Sequence, residues 1–211
     1  ARVRATILRF GTVYGLSGRT RFDLVVNLLT AKAVVDSRIT VFGPDQWRPF
    51  VHVSDVAQGI LLALQAPLET VGSRVYNVGS NSQNTTLGDL GELIKSQVPS
   101  AELVISGADG DRRNYRVNFD RIRNELGFEP KWTLEAGVEQ VLREVRSGNV
   151  TEYSGDEYSN VKWLQNLVAS NSVETSRVHH LNLLDSATGF GGEATGTTGA
   201  AEWLPEGNEV V

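Results

Sequence analysis

Short β-rich segments alternate with segments of helical periodicity along residues 5–146, and this alternation limits the folds open to the chain. Residues 5–10 form the first β-rich segment, and residues 22–35 carry apolar side chains at helical spacing. Further extended segments are predicted over 39–42, 49–53, 74–78, 102–105 and 115–119, and helices over 54–66, 87–98, 120–126, 134–146 and 157–168. Strands that alternate with helices predict an α/β fold.

Polar residues mark several predicted helix starts. Asp23 is expected in the first turn of the 22–35 helix, where the helix dipole favours an anion. Ser54 is predicted to cap the helix that follows it, and Thr86 with Asp89 has the spacing of a capping box. The helix after Ser54 is expected to have one apolar face, formed by Val56, Ile60, Leu61 and Leu64.

Charge divides the chain near Gly148. Residues 149–211 contain nine acidic and two basic residues, whereas residues 1–148 contain sixteen acidic and eighteen basic ones. We therefore expect one compact α/β body over 1–148, a terminal helix over 149–169 and an acidic tail over 170–211. The Gly/Thr-rich composition of residues 186–199 predicts disorder in that tail, because such a segment buries too little apolar surface to offset its ordering entropy.

Composition excludes several classes of function. The chain has no cysteine, which excludes a disulfide scaffold, a cysteine-ligated zinc site and a thiol nucleophile. No apolar stretch is long enough for a membrane span, so we expect a cytoplasmic protein without a membrane partner. The acidic tail argues against a nucleic-acid partner, because such binding rests on cationic contacts to phosphate. No metal site is expected.

Three segments carry residues suited to ligand binding. They are residues 8–15 (LRFGTVYG), residues 46–57 (QWRPFVHVSDVA) with 76–79, and residues 111–117 (DRRNYRV) with 126–128. A strand that ends in a Gly-rich loop lies at the carboxyl edge of an open α/β sheet, where ligands bind. Arg48 and Arg113 could converge on a diphosphate, since one guanidinium group can donate two parallel hydrogen bonds to phosphate oxygens. The alternative is that these arginines only pair with surface carboxylates.

These segments, in this order, resemble the extended short-chain dehydrogenase/reductase family of NAD-dependent nucleotide-sugar epimerases and dehydratases. The resemblance covers about residues 3–148, and its most specific part is the Arg-Pro-x-Val-His-Val-x-Asp-Val-Ala pattern of residues 48–57. It implies a partial Rossmann-like core with a small substrate-binding domain, and NAD as the cofactor. It also implies a nucleotide-diphosphate sugar as the partner, and a homodimer for the full-length protein.

The resemblance assigns residues to a substrate and to a cofactor. It implies that the strand and loop of residues 9–15 line the sugar and the nicotinamide, that two arginines bind the diphosphate, and that residues 19–27 fold over the nucleotide. The substrate-binding positions are Thr12, Arg19, Arg21, Asn27, Arg48 and Arg113, and the cofactor-binding positions are Gly11 and Val13.

Two residues of the second segment have a structural interpretation as well. His52 could be a ligand or an acid–base group, but we favour a partly buried histidine whose ring bonds locally and places the Arg48 strand. Asp55 is most simply an acid in the first turn of a helix, near its positive end.

The resemblance places the family's catalytic Tyr-x-x-x-Lys pair and its Gly-rich cofactor loop upstream of the matching region, so no catalytic residue is expected in this chain. Tyr158 and Lys162 have the right spacing but follow the substrate motifs instead of preceding them. Residues 189–194 match G-x-G-x-x-A, but no predicted strand leads into them.

These observations leave alternatives for the function. The chain is expected to be the nucleotide-sugar-binding part of an epimerase or dehydratase, a fragment that is inactive alone. A second hypothesis is a non-enzymatic module that binds a nucleotide sugar or dinucleotide and regulates a partner through its acidic tail. A purely structural α/β domain is a third, weaker one. The residues do not separate epimerisation from dehydration, or one sugar nucleotide from another.

Overall fold

The structure is a computed structural model that describes residues 3–107, 113–150 and 152–169. The predicted tail over 170–211, including residues 189–194, lies outside the described residues, and so does Arg112.

The described residues form an α/β fold, which confirms the fold class predicted from the alternation of segments. The strands are β1 (Ile7–Phe10), β2 (Thr12–Tyr14), β3 (Arg38–Phe42), β4 (Trp47–His52), β5 (Val75–Val78), β6 (Asn84–Thr86) and β7 (Glu102–Ser106). The helices are α1 (Val25–Val35), α2 (Val53–Gln65), α3 (Leu68–Val71), α4 (Leu87–Gln97), α5 (Asp120–Leu126), α6 (Leu134–Arg146) and α7 (Asn160–Ala169). Short 3₁₀ turns occur at Asn81–Gln83 and Asp156–Tyr158.

The strands pair mostly in parallel. β1 lies beside β5, β2 beside β4, and β3 beside β7, all in parallel, while β4 and β6 are antiparallel. Thr12 of β2 is opposite Phe50 of β4, and Arg48 of β4 is opposite Thr85 of β6. Parallel strands joined by helical crossovers are the arrangement expected of a Rossmann-like core.

The largest buried cluster lies where α1, α4 and α6 pack around β3 and β4. Its members are apolar side chains from all five elements together with Tyr14. Two smaller clusters flank it, one around Phe22 and Val141 and one around Tyr76 and Phe128. The predicted helical periodicity of residues 134–146 is confirmed, since Val138, Val141, Leu142 and Val145 of α6 are buried.

Two predicted element boundaries are wrong. The first helix begins at Val25 instead of Phe22, so Asp23 precedes it; Asp23 instead forms a bidentate pair with Arg21. Residues 115–119 form no strand, although Tyr115 donates its N–H to the Trp47 carbonyl at 3.4 Å. In the first case a local ion pair replaces the predicted helical turn. In the second, a contact with the distant strand β4 replaces the predicted strand.

Helix α2 differs from the prediction at its start and on its faces. Its cap is His52, not Ser54: the His52 ring nitrogen Nδ1 accepts the Ser54 N–H at 3.2 Å. The side turned inward carries Asp55 and Gly59. Gly59 packs so closely that an added β-carbon would lie 2.6 Å from the Val78 side chain. Of the predicted apolar face, the members Ile60, Leu61 and Leu64 are exposed.

The first compact unit runs from Ala1 to Asn160, beyond the boundary expected at Gly148. Val150 is buried in the cluster of Phe22, and Tyr158 packs its ring edge-on against Phe22 at 5.2 Å. The second unit runs from Val161 to Val211, and its described residues lie in α7. No helix within the described ranges is long and apolar enough to cross a membrane.

Candidate functional site

A pocket of about 380 Å³ opens between α1, β3 and the ends of β2 and β4. Residues from every one of the three sequence motifs reach it. Its lining consists of Thr12, Asp23, Leu24, Val25, Leu28, Leu29, Lys32, Thr40, Val41, Phe42, Gln46, Arg48, Leu87, Arg113 and Tyr115.

One wall of the pocket is apolar. Val25, Leu28, Leu29 and Lys32 of α1 are spaced so that they follow one face of the helix, and the β3 residues 40–42 lie on the pocket as well. Concave sites with apolar walls and a few placed polar groups are typical of small-molecule pockets. The cations here are Lys32, Arg48 and Arg113, so an organic anion fits the lining better than a neutral or cationic ligand.

Arg48 is held firmly at the pocket wall, with 6% of its surface exposed. Its guanidinium donates to the Trp47 carbonyl at 2.8 Å, to Gln46 Oε1 at 2.9 Å and to the Arg113 carbonyl. It also lies 5.9 Å from the centre of the Tyr115 ring. These contacts leave the guanidinium little freedom, so its position is set before any ligand binds.

The segment that carries Arg113 crosses the start of β4. Asn114 Oδ1 accepts the Trp47 N–H at 2.9 Å, and the Arg116 guanidinium lies over the Trp47 indole at 4.4 Å from its centre. Arg113 and Tyr115 line the pocket. Arg48 and Arg113, which come from distant segments, thus line the same pocket.

Strand β2 presents its residues alternately to two sides. Thr12 lines the pocket, whereas Val13 does not, as the period of two in a strand requires. Gly11 donates its N–H to the Val78 carbonyl at 3.2 Å, and a β-carbon there would lie 3.0 Å from the Pro49 carbonyl oxygen. The close approach of two backbones at Gly11 thus leaves little room for a side chain.

The other three substrate-binding positions implied by the resemblance lie outside this pocket. Arg19 donates to Asn160 Oδ1 at 2.7 Å and lines a separate pocket, and Arg21 pairs with Asp23 at 2.9 Å. Asn27 is buried; its side chain accepts the Gly15 N–H at 3.1 Å and donates to the Arg21 carbonyl at 2.8 Å. Asn27 therefore holds the shape of the 15–21 loop.

Among the residues that the structure describes, Asp23 is the only acidic one that lines the pocket. Burial would raise the pKa of its carboxyl, but the Arg21 guanidinium and backbone N–H groups outweigh burial and hold that pKa below its ordinary value. Asp23 is therefore ionised at neutral pH, and its pairing with Arg21 offsets the negative charge beside the arginines.

His52 is a structural residue, as the favoured interpretation of the sequence held. Its ring is fully buried, with Nε2 2.9 Å from Gln140 Oε1 and Nδ1 accepting the Ser54 N–H. Burial lowers the pKa of the imidazole, which is therefore neutral at neutral pH. His52 does not line the pocket, so the alternative of a ligand or acid–base group has no support there.

Asp55 lies in the first turn of α2, as predicted, and makes two further contacts that the sequence did not reveal. Its carboxylate accepts the backbone N–H groups of Lys131 at 2.9 Å and of Trp132 at 3.1 Å. Nearby, the Tyr14 hydroxyl donates to Gln83 Oε1 at 2.9 Å, and burial raises the pKa of that phenol. No local pattern predicts contacts between residues so distant in sequence.

The structure does not place Tyr158 and Lys162 on one helix, although the helix predicted over 157–168 contained both. Tyr158 belongs to the 3₁₀ turn that precedes α7, and Lys162 lies within α7. Neither residue lines the pocket that contains Arg48 and Arg113. Within the described ranges, no group of three or more His, Asp or Glu side chains could hold a metal ion.

Lys32 and Tyr115 line the pocket although the sequence did not single them out. A signal for Lys32 was present, because it continues the stripe of Val25, Leu28 and Leu29 at helical spacing. Tyr115 gave no such signal, since it follows Arg113 in a segment without regular structure.

Comparison with known proteins gives matches that cover about two thirds of this chain. A UDP-glucuronate 4-epimerase of Arabidopsis thaliana is 28% identical over 168 residues, which cover 72% of this chain and 37% of the relative. A dTDP-L-rhamnose 4-epimerase of Burkholderia thailandensis is 29% identical over 138 residues, covering 63% of this chain and 37% of the relative. The chain thus spans less than half the length of these curated relatives.

A solved structure shares the fold. The UDP-glucose 4-epimerase of Thermotoga maritima, determined with UDP-glucose, superposes with a TM-score of 0.59 and 26% identity, over 69% of this chain and 47% of that one. The model of the NAD dependent epimerase/dehydratase family matches residues 1–79. These matches include β1, β2, α1, β3, β4 and α2, which position most of the pocket. Residues 1–79 of this chain are therefore similar to the NAD-dependent epimerase/dehydratase family.

Proposed function

We propose that the pocket between α1, β3 and β4 is the nucleotide-sugar site of an NAD-dependent sugar epimerase or dehydratase, and that this chain supplies the substrate-binding part. The observation that carries the proposal is the convergence of Thr12, Arg48 and Arg113 on one pocket. These residues come from three motifs far apart in sequence, and pairing with surface carboxylates would not require them to meet.

The lining has the chemistry that a nucleoside diphosphate needs. Arg48 and Arg113 supply guanidinium groups for phosphate oxygens, which favour charge-assisted hydrogen bonds. The apolar stripe of α1, together with Phe42 and Tyr115, offers surface for a base and a ribose. Thr12, at the start of β2, carries a hydroxyl group suited to hydrogen bonding with a sugar hydroxyl group.

The proposed cofactor is NAD, which accepts a hydride from the sugar when it is bound. By the resemblance, Gly11 and Val13 would contact it, and Val13 lies on the side of β2 away from the pocket. We assign no catalytic role to a described side chain. The proposal that further groups complete the reaction, and that this part is inactive alone, is supported by its span of less than half of its relatives.

Calorimetric titration of the 211-residue chain with UDP-glucose, UDP-glucuronate and dTDP-glucose tests the site. Arg48→Ala and Arg113→Ala should each weaken binding by about tenfold or more, because a charge-assisted hydrogen bond contributes about 1.5–3 kcal/mol. The matched control is Arg121→Ala, which removes the same charge at an exposed arginine that bonds Val75.

A second pair of variants distinguishes the pocket residues from the arginines of the neighbouring 15–21 loop. Arg19→Ala should leave affinity within about twofold, because Arg19 lies outside the pocket. Arg21→Ala should weaken binding of an anion, because Asp23 on the pocket wall would lose the partner that offsets its charge. Unchanged affinity in both pocket variants, or the absence of saturable binding of all three nucleotide sugars by the wild-type chain, contradicts the proposal that this pocket is the site.

A further inference from the structure

The strip of residues 113–116 alternates between two neighbours. Arg113 and Tyr115 line the pocket, whereas the Asn114 side chain accepts the Trp47 N–H and the Arg116 guanidinium covers the Trp47 ring. The strip has no helix or strand of its own, so its backbone is not fixed by regular hydrogen bonds. Its order must come from such contacts with β4.

The contacts to Trp47 come from both backbone and side chain. The Trp47 N–H donates to Asn114 Oδ1 at 2.9 Å, and the Trp47 carbonyl accepts the Tyr115 N–H at 3.4 Å. Arg116 lies 4.4 Å from the centre of the indole, within the range of a cation–π interaction. One residue of β4 thus contacts the strip at three consecutive positions.

We infer that Trp47, Asn114 and Arg116 form a clamp that positions Arg113 and Tyr115 on the pocket. The inference rests on the proposed function, since it assigns these three residues to the ordering of the nucleotide-sugar site. None of the three lines the pocket. They act through the residues between them, as positioning residues and not as ligand contacts.

The clamp has a physical consequence for binding. Without it, the strip would sample several conformations in the free protein, and ordering it on ligand binding would reduce affinity. The contact of Arg48 with the Arg113 carbonyl joins the strip to the pocket side of β4, while Arg116 joins it to the indole side. Successive side chains of a strand point to opposite faces, so Trp47 and Arg48 hold the strip from two sides.

The test uses the full chain and two variants that open the clamp, Trp47→Ala and Arg116→Ala. Residue-resolved amide exchange should show the Tyr115 N–H exchanging about tenfold faster in both, because its segment opens more often. The affinity for UDP-glucose should fall by about two- to fivefold, as expected for loss of an exposed cation–π contact.

Conservative variants and a charge control identify positioning as the cause. Trp47→Phe keeps an aromatic face and Arg116→Lys keeps a cation, so both variants should retain slow exchange of the Tyr115 N–H and the wild-type affinity for UDP-glucose. Arg121→Ala changes the same charge elsewhere and should leave Tyr115 exchange and UDP-glucose affinity unchanged. Because Arg116 is exposed, its replacement should not lower the thermal midpoint of the protein.

Several outcomes overturn the clamp. Unchanged Tyr115 exchange in both alanine variants does so, and so does faster exchange with unaltered UDP-glucose affinity. Failure of the proposed function looks different: the wild-type chain would not bind UDP-glucose, yet Tyr115 exchange would still respond to Trp47→Ala and Arg116→Ala. That result supports the clamp as an ordering contact while contradicting the nucleotide-sugar site.

Discussion

The imidazole of His52 lies flat against the indole of Trp132, with the ring centres 3.8 Å apart and the planes 12° apart. Tyr14 packs edge-on against the same imidazole, with the ring centres 5.4 Å apart. The histidine at the start of α2 is therefore enclosed by β2 and by the loop before α6. A charge on this ring would be poorly solvated, which gives the protein an acid-sensitive point.

The free energy of unfolding should fall as pH drops below about 6.5, the ordinary pKa of histidine, because burial lowers the pKa of His52 in the folded state. Below that pH the unfolded chain binds more protons at this site than the folded chain does, so protonation favours unfolding. Above it, both states are neutral and the contribution is constant.

Denaturant unfolding between pH 5 and 8 measures this effect on wild type and on His52→Asn. The variant keeps an acceptor for the Ser54 N–H at the helix cap, but it cannot titrate there. The free energy of unfolding of His52→Asn should be lower than that of wild type at pH 8, and it should fall less steeply toward pH 5. Parallel curves for the two proteins would show that His52 does not titrate in this range.

Asp55→Ala should destabilise the protein by about 3 kcal/mol or more. The change removes two charge-assisted hydrogen bonds from a buried carboxylate and leaves the backbone N–H groups of Lys131 and Trp132 without their acceptor. Urea unfolding at pH 7 provides the measurement. Asp45→Ala, at an exposed turn, should change stability by no more than about 0.5 kcal/mol, and an equal loss in both variants would contradict the assigned role of Asp55.

Gly59→Ala should destabilise the packing of α2 on β5 by about 1–3 kcal/mol, because the added methyl group overpacks against Val78. Alanine favours helices over glycine by about 1 kcal/mol, which only partly offsets the clash. Thermal unfolding should show a lower midpoint than wild type. Gly107→Ala meets no atom within 4 Å and is the matched control; a Gly59→Ala protein as stable as wild type would mean that α2 shifts freely.

Tyr153 should titrate well above an ordinary tyrosine. Burial, followed by its 2.5 Å hydrogen bond to Asp36 and the charge of that carboxylate, raises the pKa of Tyr153 to about 12. Its stabilising contribution is present below pH 10 and is lost as pH rises above that value, because the unfolded chain releases the proton first. The difference in tyrosinate absorbance between wild type and Tyr153→Phe isolates this group, and Asp36→Asn should move its titration toward pH 10. A midpoint near 10 in the wild type contradicts the assigned hydrogen bond.

Local signals in the sequence determined where most elements begin and end. Thr86 accepts the Asp89 N–H at 3.0 Å, as the capping-box spacing predicted, and Gly127 ends α5 with φ at 64°. Such features depend on neighbours within a few residues, so the chain carries them wherever it is placed. The order of the motifs also indicated the family before any contact was known.

Only the tertiary structure decided which surfaces meet. The apolar periodicity of α2 gave a face of Ile60, Leu61 and Leu64, but the described fold packs the Gly59 side inward because only that side permits close approach to Val78. Arg48 taken alone was more compatible with a surface ion pair than with a ligand site. Its place beside Arg113 depends on Trp47, Asn114 and Arg116, whose contacts join distant parts of the chain. Periodicity states which residues share a face, whereas long-range packing determines what that face contacts.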